Sequence, residues 1–183
     1  MYELAFDELN SLKSNLNELL NADLDKLDPD KAVELVKGVL EDAYLYGCYY
    51  ANDKLGEKHV PTQEQIMLAL LVPIAGKTFV DRVSEYAETG DIDAIMRVAE
   101  TDLHRVYSEG VQDTADKSEQ YVQKKWTTMG DAKVRETHAY LDGQIVDLHE
   151  PFITIDGDSA DAPGDFEGAE NNVNCRCVLE LIV

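Results

Sequence analysis

Apolar positions along the first two-thirds of the chain recur with the spacing of α-helices. Within residues 2–21 the apolar seam consists of Ala5, Leu9, Leu12, Leu16 and Leu19, at alternating steps of four and three. This spacing predicts a helix with one narrow apolar stripe. Because an isolated helix of this length is only marginally stable in water, it must dock on a surface. That surface belongs either to the same domain or to a partner, and the sequence leaves both hypotheses open.

Local start and stop signals predict four more helices between residues 28 and 110. Asp28, followed by proline, opens the first of them, and Gly56 follows its end. Thr62 opens a capping-box pattern for the next helix, and Thr78 is placed to cap the one after it. Gly90-Asp91 ends that helix and caps the last. The N-terminal two-thirds is therefore predicted to be mostly helical.

The pattern changes in the last third, where short apolar pieces are separated by Gly, Pro, Asp and Asn. The predicted pieces are a strand over 122–128 centred on Trp126, a helix over 133–141 closed by Asp142-Gly143, a β-like run over 152–155, a loop over 156–168 and an alternating strand over 175–183. The predicted fold class is α+β. A mostly helical N-terminal two-thirds is followed by a small, loop-rich α+β module with a short sheet.

The net charge of the chain limits the classes of molecule that it can bind. The chain has 37 acidic and 16 basic residues, a formal net charge of −21, and both its N-terminal and C-terminal parts are acidic. Such a polyanion disfavours direct binding to DNA phosphates or to an anionic membrane. No apolar run approaches the length of a bilayer crossing, and the N-terminus lacks the pattern of a secretory signal. The three cysteines do not form a disulfide framework, so a reducing compartment is expected.

His138, Cys175 and Cys177 are the weak candidates for a metal site. Cysteines two apart on a strand point to the same face, so both sulfurs can meet His138 if its helix packs there. A fourth zinc ligand would have to be His149 or an aspartate. A single Cys-x-Cys pair is a weak signal, because structural zinc sites commonly use two ligand pairs.

Two other hypotheses use the same three residues. Cys–His pairing would make a nucleophile, with Asp131 or Asp142 orienting the imidazole, although no oxyanion hole is evident in the sequence. In the other hypothesis the thiols are small buried core residues and His138 is a hydrogen-bonded core histidine. The sequence alone leaves the metal site, the nucleophile and the plain core open.

A series of short motifs runs in order through the C-terminal third. They are Trp126-Thr127-Thr128, Asp131, Val134-Arg135, His138, Leu141-Asp142-Gly143-Gln144, Glu150-Pro151-Phe152, Pro163-Gly164-Asp165, Ala169-Glu170-Asn171 and Asn174-Cys175-Arg176-Cys177. As an ordered set they strongly resemble the phage Mu F-like family of minor head proteins, also called phage head morphogenesis proteins. The resemblance covers residues 76–183. We therefore predict a helical, docking N-terminal region over 1–75 and a Mu F-like domain over 76–183.

The resemblance implies structural work in a phage head rather than catalysis. It predicts a minor head protein, present in several copies, inside the capsid near the portal and in the host cytoplasm during assembly. The phage portal protein is the implied partner, with the major capsid or scaffold protein as further candidates, and no cofactor is implied. We expect no effector domain after Val183. The alternatives are a metal-dependent or cysteine enzyme using the three residues above, and an adaptor module of a prophage-encoded toxin system.

The signature residues also have predicted structural roles. The set comprises Trp126, Asp131, Arg135, His138, Asp142, Gly143, Asn174, Cys175, Arg176 and Cys177. We expect Asp131 to cap the helix that carries His138, Arg135 to pair with a carboxylate, and Asn174 to tie the acidic loop to the last strand. One segment departs from the family pattern: Glu100 stands where the family usually has Arg, and Asp102 where it has Glu.

Overall fold

The computed structural model describes residues 2–22 and 28–183 of the chain. The N-terminal helices are α1 (Tyr2–Asn21), α2 (Pro29–Leu55), α3 (Gln63–Leu70), α4 (Phe79–Thr89) and α5 (Ile92–Ala115). The C-terminal elements are β1 (Gln123–Thr127), α6 (Glu136–Leu141), β2 (Ile145–Asp147), β3 (Phe152–Ile153), β4 (Ser159–Ala160), α7 (Ala169–Asn172) and β5 (Val178–Ile182). The predicted α+β class is confirmed. The predicted boundary between residues 75 and 76 stays a prediction.

The predicted starts of these helices are confirmed by their capping geometry, but the predicted end of the last one at Gly110 is wrong, since α5 continues to Ala115. Asp28 accepts a hydrogen bond from the Lys31 amide at 2.8 Å, and Gly56 ends α2 in the left-handed region. Thr62 and Thr78 each form a reciprocal capping box at the start of α3 and α4. These caps satisfy backbone amides that have no partner inside a helix, and they depend only on residues within one turn. That locality makes them readable from the sequence.

Helix α1 packs on α2 and α5 of its own chain. Leu9, Leu12 and Leu16 are buried as predicted, but the prediction is wrong at Leu19, which is 50% exposed. Leu20 is fully buried in its place. A helix turns every 3.6 residues, so its buried stripe drifts from a strict alternation of four and three. The apolar side of α1 therefore faces the core, and any partner must meet its outer side.

Helix α5 runs through the centre of the fold. It contacts α1, α2, α3, α4 and β5, and every side chain from Thr101 to Ser108 is buried. Its crossing with α2 is unusually close: a Cβ built on Gly47 would lie 2.1 Å from the Tyr107 carbonyl oxygen, and one built on Gly110 would lie 2.2 Å from that of Tyr44. Both positions face backbone, which cannot move aside. Only glycine fits at either position.

A three-stranded antiparallel sheet of order β2-β1-β5 lies against α5. Trp126 of β1 is fully buried and pairs in register with Leu179 of β5. The outer edge of β5 is satisfied by helix side chains, because the Leu179 amide donates to Ser108 Oγ at 3.3 Å and the Leu181 amide donates to the Tyr50 hydroxyl at 3.1 Å. The helices thereby cover a free strand edge and fix the position of the sheet.

Several C-terminal boundaries differ from their predictions. The helix predicted from residue 133 begins at Glu136, since Arg135 has an extended backbone with ψ of 156°. The loop predicted over 156–168 contains β4, which pairs with β3. Cys175 and Cys177 precede β5, and Val183 is 64% exposed. No helix among residues 2–22 and 28–183 is long and apolar enough to cross a membrane.

Gly110→Ala is expected to destabilise the protein by about 2 kcal/mol or more, because the added methyl group overpacks a backbone–backbone contact. The free energy of unfolding, measured by urea denaturation, checks this. Gly38→Ala is the matched control, since Gly38 lies on the same helix as Gly47, is exposed and has open space around it. It should stabilise by about 0.5–1 kcal/mol. Equal stability of the Gly110 variant and the wild type would contradict the close crossing.

Candidate functional site

The structure brings His138, Cys175 and Cys177 together. His138 Nδ1 lies 3.3 Å from Cys177 Sγ and 3.7 Å from Cys175 Sγ. All three residues are at most 3% exposed, and both thiols are free. Their potential metal-ligand atoms lie within 4.8 Å of one another. The predicted meeting of the two sulfurs with His138 is confirmed.

The two thiols polarise each other. The pKa of Cys175 is held well below its ordinary value, chiefly by the hydrogen bond from Cys177 and also by His138, against the opposing effect of burial. The pKa of Cys177 is raised by the same hydrogen bond and by burial. Cys175 is therefore the thiol that ionises first, and Cys177 holds its proton.

Aromatic rings enclose this cluster. The imidazole of His138 stacks on Phe166, with centroids 5.7 Å apart and an angle of 22° between the planes. The indole of Trp126 packs edge-on against the same imidazole, with ring centroids 5.5 Å apart. The ring of Phe152 packs against Trp126, with centroids 5.3 Å apart. Among the described residues, Nε2 of His138 is buried without a hydrogen-bond partner. The rings therefore fix the orientation of the imidazole, with Nδ1 towards the sulfurs.

The loop before Cys175 is anchored by side chains. Asn172 accepts from the Phe166 amide at 2.9 Å and donates to its carbonyl at 2.5 Å. Arg135 donates to the carbonyl oxygens of Glu170 and Val173. The prediction that Arg135 pairs with a carboxylate is wrong: its guanidinium donates to two backbone carbonyls of the turn before Cys175.

Asp131 and Arg176 form the planar, two-bond pair of the site. Arg176 donates to both oxygens of Asp131, at 2.8 and 2.9 Å, and this contact lowers the pKa of Asp131 to about 2. The expectation that Asp131 caps the helix carrying His138 is wrong, because Arg135 occupies the cap position and makes no side-chain cap bond. The ion pair instead joins the turn after β1 to the Cys-x-Cys segment.

Asn174 also differs from its predicted role. Its backbone adopts a positive φ of 57°, and its amide donates to Thr101 Oγ1 on α5 at 3.0 Å. The bond is made by the backbone and reaches the central helix rather than the acidic loop. Asparagine is among the residues that tolerate this left-handed conformation.

The predicted accessory groups of the cluster lie elsewhere. Asp142 accepts from the Thr128 amide at 2.8 Å, and Asp131 is engaged with Arg176, so neither carboxylate orients His138. His149, suggested as a fourth metal ligand, is exposed and lies 3.6 Å from Asp116. Within the described residues the potential ligand cluster has three members.

Sequence reasoning missed a buried ion network beside the site. Asp102 is fully buried, and its two oxygens accept from Arg82 at 2.7 Å and from Arg105 at 3.2 Å. Arg105 also donates to the carbonyl oxygens of Ala69 and Leu70, which end α3. The departure from the family pattern at position 102 therefore supports a structural network. The available signal was an acidic and a basic residue three apart within an apolar helix.

A cleft of about 560 Å³ lies beside the cluster, and its lining contains a concentration of cations. The basic residues that line it are Lys13, Arg97, Lys133, Arg135 and Arg176. Glu100 also lines it and pairs with Lys13. The charge of this acidic chain is therefore unevenly distributed, with five of its 16 basic side chains lining one cleft near the Cys-x-Cys segment.

Arg135→Lys is expected to loosen the loop that carries the two cluster thiols, because a lysine cannot hold both carbonyls with a planar fork. The loss of one charge-assisted hydrogen bond should raise the rate of thiol modification about tenfold by favouring local opening. The measurement is the reaction rate with a thiol reagent in a Cys48→Ser background. Arg97→Lys, which lines the same cleft, is the control. Equal rates in both variants would contradict the anchoring role.

Comparison with known proteins finds one matching family and two similar proteins for this part of the chain. The model of the family described as Phage Mu protein F like protein matches residues 66–180. Minor head protein GP7 of Bacillus phage SPP1 is 36% identical over 87 residues, which are 46% of this chain and 28% of that protein. NAD(+)–arginine ADP-ribosyltransferase EFV of Enterococcus faecalis is 39% identical over 91 residues, which are 48% of this chain and 18% of that protein.

The chain thus spans less than a third of the length of either curated relative. No solved structure gives a match of comparable significance. The family match begins ten residues before the start that the motifs suggested and ends within β5. Because the family model covers more than half of the chain, this protein belongs to the phage Mu F-like family.

Proposed function

We propose that this chain is a structural phage virion protein, a minor head protein acting in head morphogenesis at the portal vertex and in genome packaging or delivery. The observation that carries the proposal is the similarity of a Mu F-like chain to a phage minor head protein. Its locations would be the inside of the capsid near the portal and, during assembly, the host cytoplasm. Several copies per virion are proposed.

The geometry around the family signature supports a structural role rather than an enzymatic one. Arg135 and Arg176 hold the loop through backbone carbonyls and through Asp131. His138 and the two cysteines are buried, whereas catalytic groups must reach a substrate. Each of these contacts stabilises the module without requiring a reacting molecule.

The outer face of α1 and α2 is the proposed docking surface for the portal protein. A cavity of about 260 Å³ there is lined by Ala5, Glu8, Tyr46, Tyr49, Tyr50, Asp53 and Tyr107. Tyrosine is enriched at protein interfaces, and the two carboxylates suit a basic partner surface. The occupant we propose is a basic surface segment of the portal protein, to which a chain of net charge −21 is complementary. The major capsid or scaffold protein would be a further contact, and direct DNA binding is disfavoured.

The double variant Glu8→Gln, Tyr49→Ala is expected to weaken binding to purified portal oligomers about tenfold or more, because it removes an exposed aromatic anchor and a complementary charge. Tyr49 is 62% exposed, so the fold should be retained. The dissociation constant, measured by surface plasmon resonance, provides the test. Tyr140→Ala is the control, since Tyr140 is 51% exposed but lies on α6. A similar loss in both variants, or none in either, would contradict this docking surface.

Deletion of residues 1–21 is a less informative test of docking. Phe6, Leu9, Leu12, Leu16 and Leu20 are buried in the shared core, so the deletion would expose α2 and α5. Weakened binding would then report a damaged fold. Point substitutions on the outer face avoid this problem.

The second candidate function is an adaptor module of a prophage-encoded toxin system. The observation that favours it is the 39% identity to an arginine ADP-ribosyltransferase, which shares a stretch of 91 residues with this chain. In this candidate the same compact module would serve assembly or delivery. Portal, scaffold and major capsid genes beside this gene would favour the virion role.

We expect this chain to show no ADP-ribosyl transfer, because the structure offers the three reactive candidates only as buried groups. The measurement is NAD⁺ consumption with an arginine-containing acceptor, monitored by chromatography. Steady turnover above a heat-inactivated sample would contradict the proposal. If that turnover vanished in a His138→Asn variant, it would assign the activity to the buried cluster.

A further inference from the structure

We propose that His138 Nδ1 and the sulfurs of Cys175 and Cys177 bind one zinc ion, with a water molecule in the fourth position. The site would be a metal centre of the Mu F-like module, independent of which partner the protein meets. Its inferred role is to join α6 to the Cys-x-Cys segment at the point where that segment enters β5.

The distances in the cluster match the edges of a tetrahedral zinc site. Zinc binds nitrogen at about 2.0–2.1 Å and thiolate sulfur at about 2.3 Å, so a tetrahedral angle separates nitrogen and sulfur by about 3.6 Å. His138 Nδ1 lies 3.3 and 3.7 Å from the two sulfurs. The ligand atoms therefore surround a position that an ion can occupy with small side-chain adjustments.

The scaffold holds these ligands in place without the ion. Phe166 and Trp126 fix the imidazole, and Asn172 and Arg135 fix the loop before Cys175. A rigid first coordination sphere lowers the entropy that binding must overcome. Bulk water is excluded, since the three ligand residues are at most 3% exposed. Soft sulfur ligands in a dry, preorganised pocket favour zinc over magnesium or calcium.

The surrounding charges suit a zinc dithiolate. Two thiolates would neutralise the charge of the ion, and Arg135 lines the same small cleft as Cys177. Arg176 lies between the two cysteines in sequence and faces the same small cleft. The cationic side chains of Arg135 and Arg176 therefore share the cleft with Cys177, where they would offset part of the cost of a buried sulfur anion once metal binds.

A narrow cleft supplies both an entrance and the fourth position. It is lined by Met129, Lys133, Val134, Arg135, His138, Asn174, Arg176 and Cys177. Its volume of about 10 Å³ is close to what one water molecule requires. His149 and the nearby aspartates are engaged elsewhere, so water is the ligand that this geometry accommodates. Zinc takes three protein ligands and one water in catalytic sites, and the site proposed here would combine that coordination with a structural role.

Elemental analysis of the chain purified without chelators from zinc-supplemented medium tests the proposal. We expect about one zinc per chain in the wild type, since structural zinc binds tightly enough to survive purification. Cys177→Ser should lose the zinc. Cys48→Ser is the matched control, because Cys48 is also a buried free thiol but lies on α2, and it should retain the zinc. Less than about a tenth of an equivalent in the wild type, or equal content in both variants, would overturn the site.

Cobalt(II) substitution of the wild type keeps the test valid if the serine variant fails to fold. A tetrahedral cobalt site with two thiolates should give intense sulfur-to-metal charge-transfer absorption and visible bands typical of four-coordination. Binding of cobalt without charge-transfer absorption would show that the cysteines are not ligands and would overturn the proposal. Formation of a Cys175–Cys177 disulfide on mild oxidation of the metal-loaded protein, without release of zinc, would do the same.

Discussion

The close crossing of α2 and α5 is the constraint on which the rest of the structure depends. Gly47 and Gly110 let the two backbones meet almost without intervening side chains. That contact places α5 at the centre, where it contacts four other helices and β5. Thr101 holds the Asn174 amide, and Ser108 holds the edge of β5. The position of the Cys-x-Cys segment therefore depends on how closely two helices approach far from it in sequence.

The buried ion network around Asp102 also depends on the central position of α5. Asp102 and Arg105 are both buried, so each charge needs a partner inside the protein. Arg82 from α4 and two carbonyls from the end of α3 complete the hydrogen bonds. A network of this kind is costly if any member is lost, and it fixes the relative position of three helices.

The distribution of charge matters more than its sum. A net charge of −21 disfavours polyanionic partners, yet five basic side chains line one cleft beside the cluster. Arg135 and Arg176 are occupied with backbone carbonyls and with Asp131, so part of this positive charge serves the loop. In the proposed docking to the portal protein, the acidic residues of the rest of the chain would be complementary to a basic protein surface. For the minor head protein proposed above, this charge would favour a contact with protein over a coat on the genome.

The sequence by itself determined the features that depend on neighbouring residues. The helix caps at Asp28, Thr62 and Thr78 depend on contacts within a few positions, so pattern reasoning recovered them. The α+β class followed from the spacing of apolar residues and turn residues along the chain. The tertiary structure decided which side chain forms a hydrogen bond or ion pair with which group far away in the sequence. Asp131 meets Arg176 across 45 positions, and Arg135 meets a backbone turn, because folding brings several equivalent partners within reach. Leu20 replaces Leu19 in the core because a straight helix of 3.6 residues per turn drifts from the strict alternation of four and three, and the surface formed by α2 and α5 lies beneath the drifted stripe.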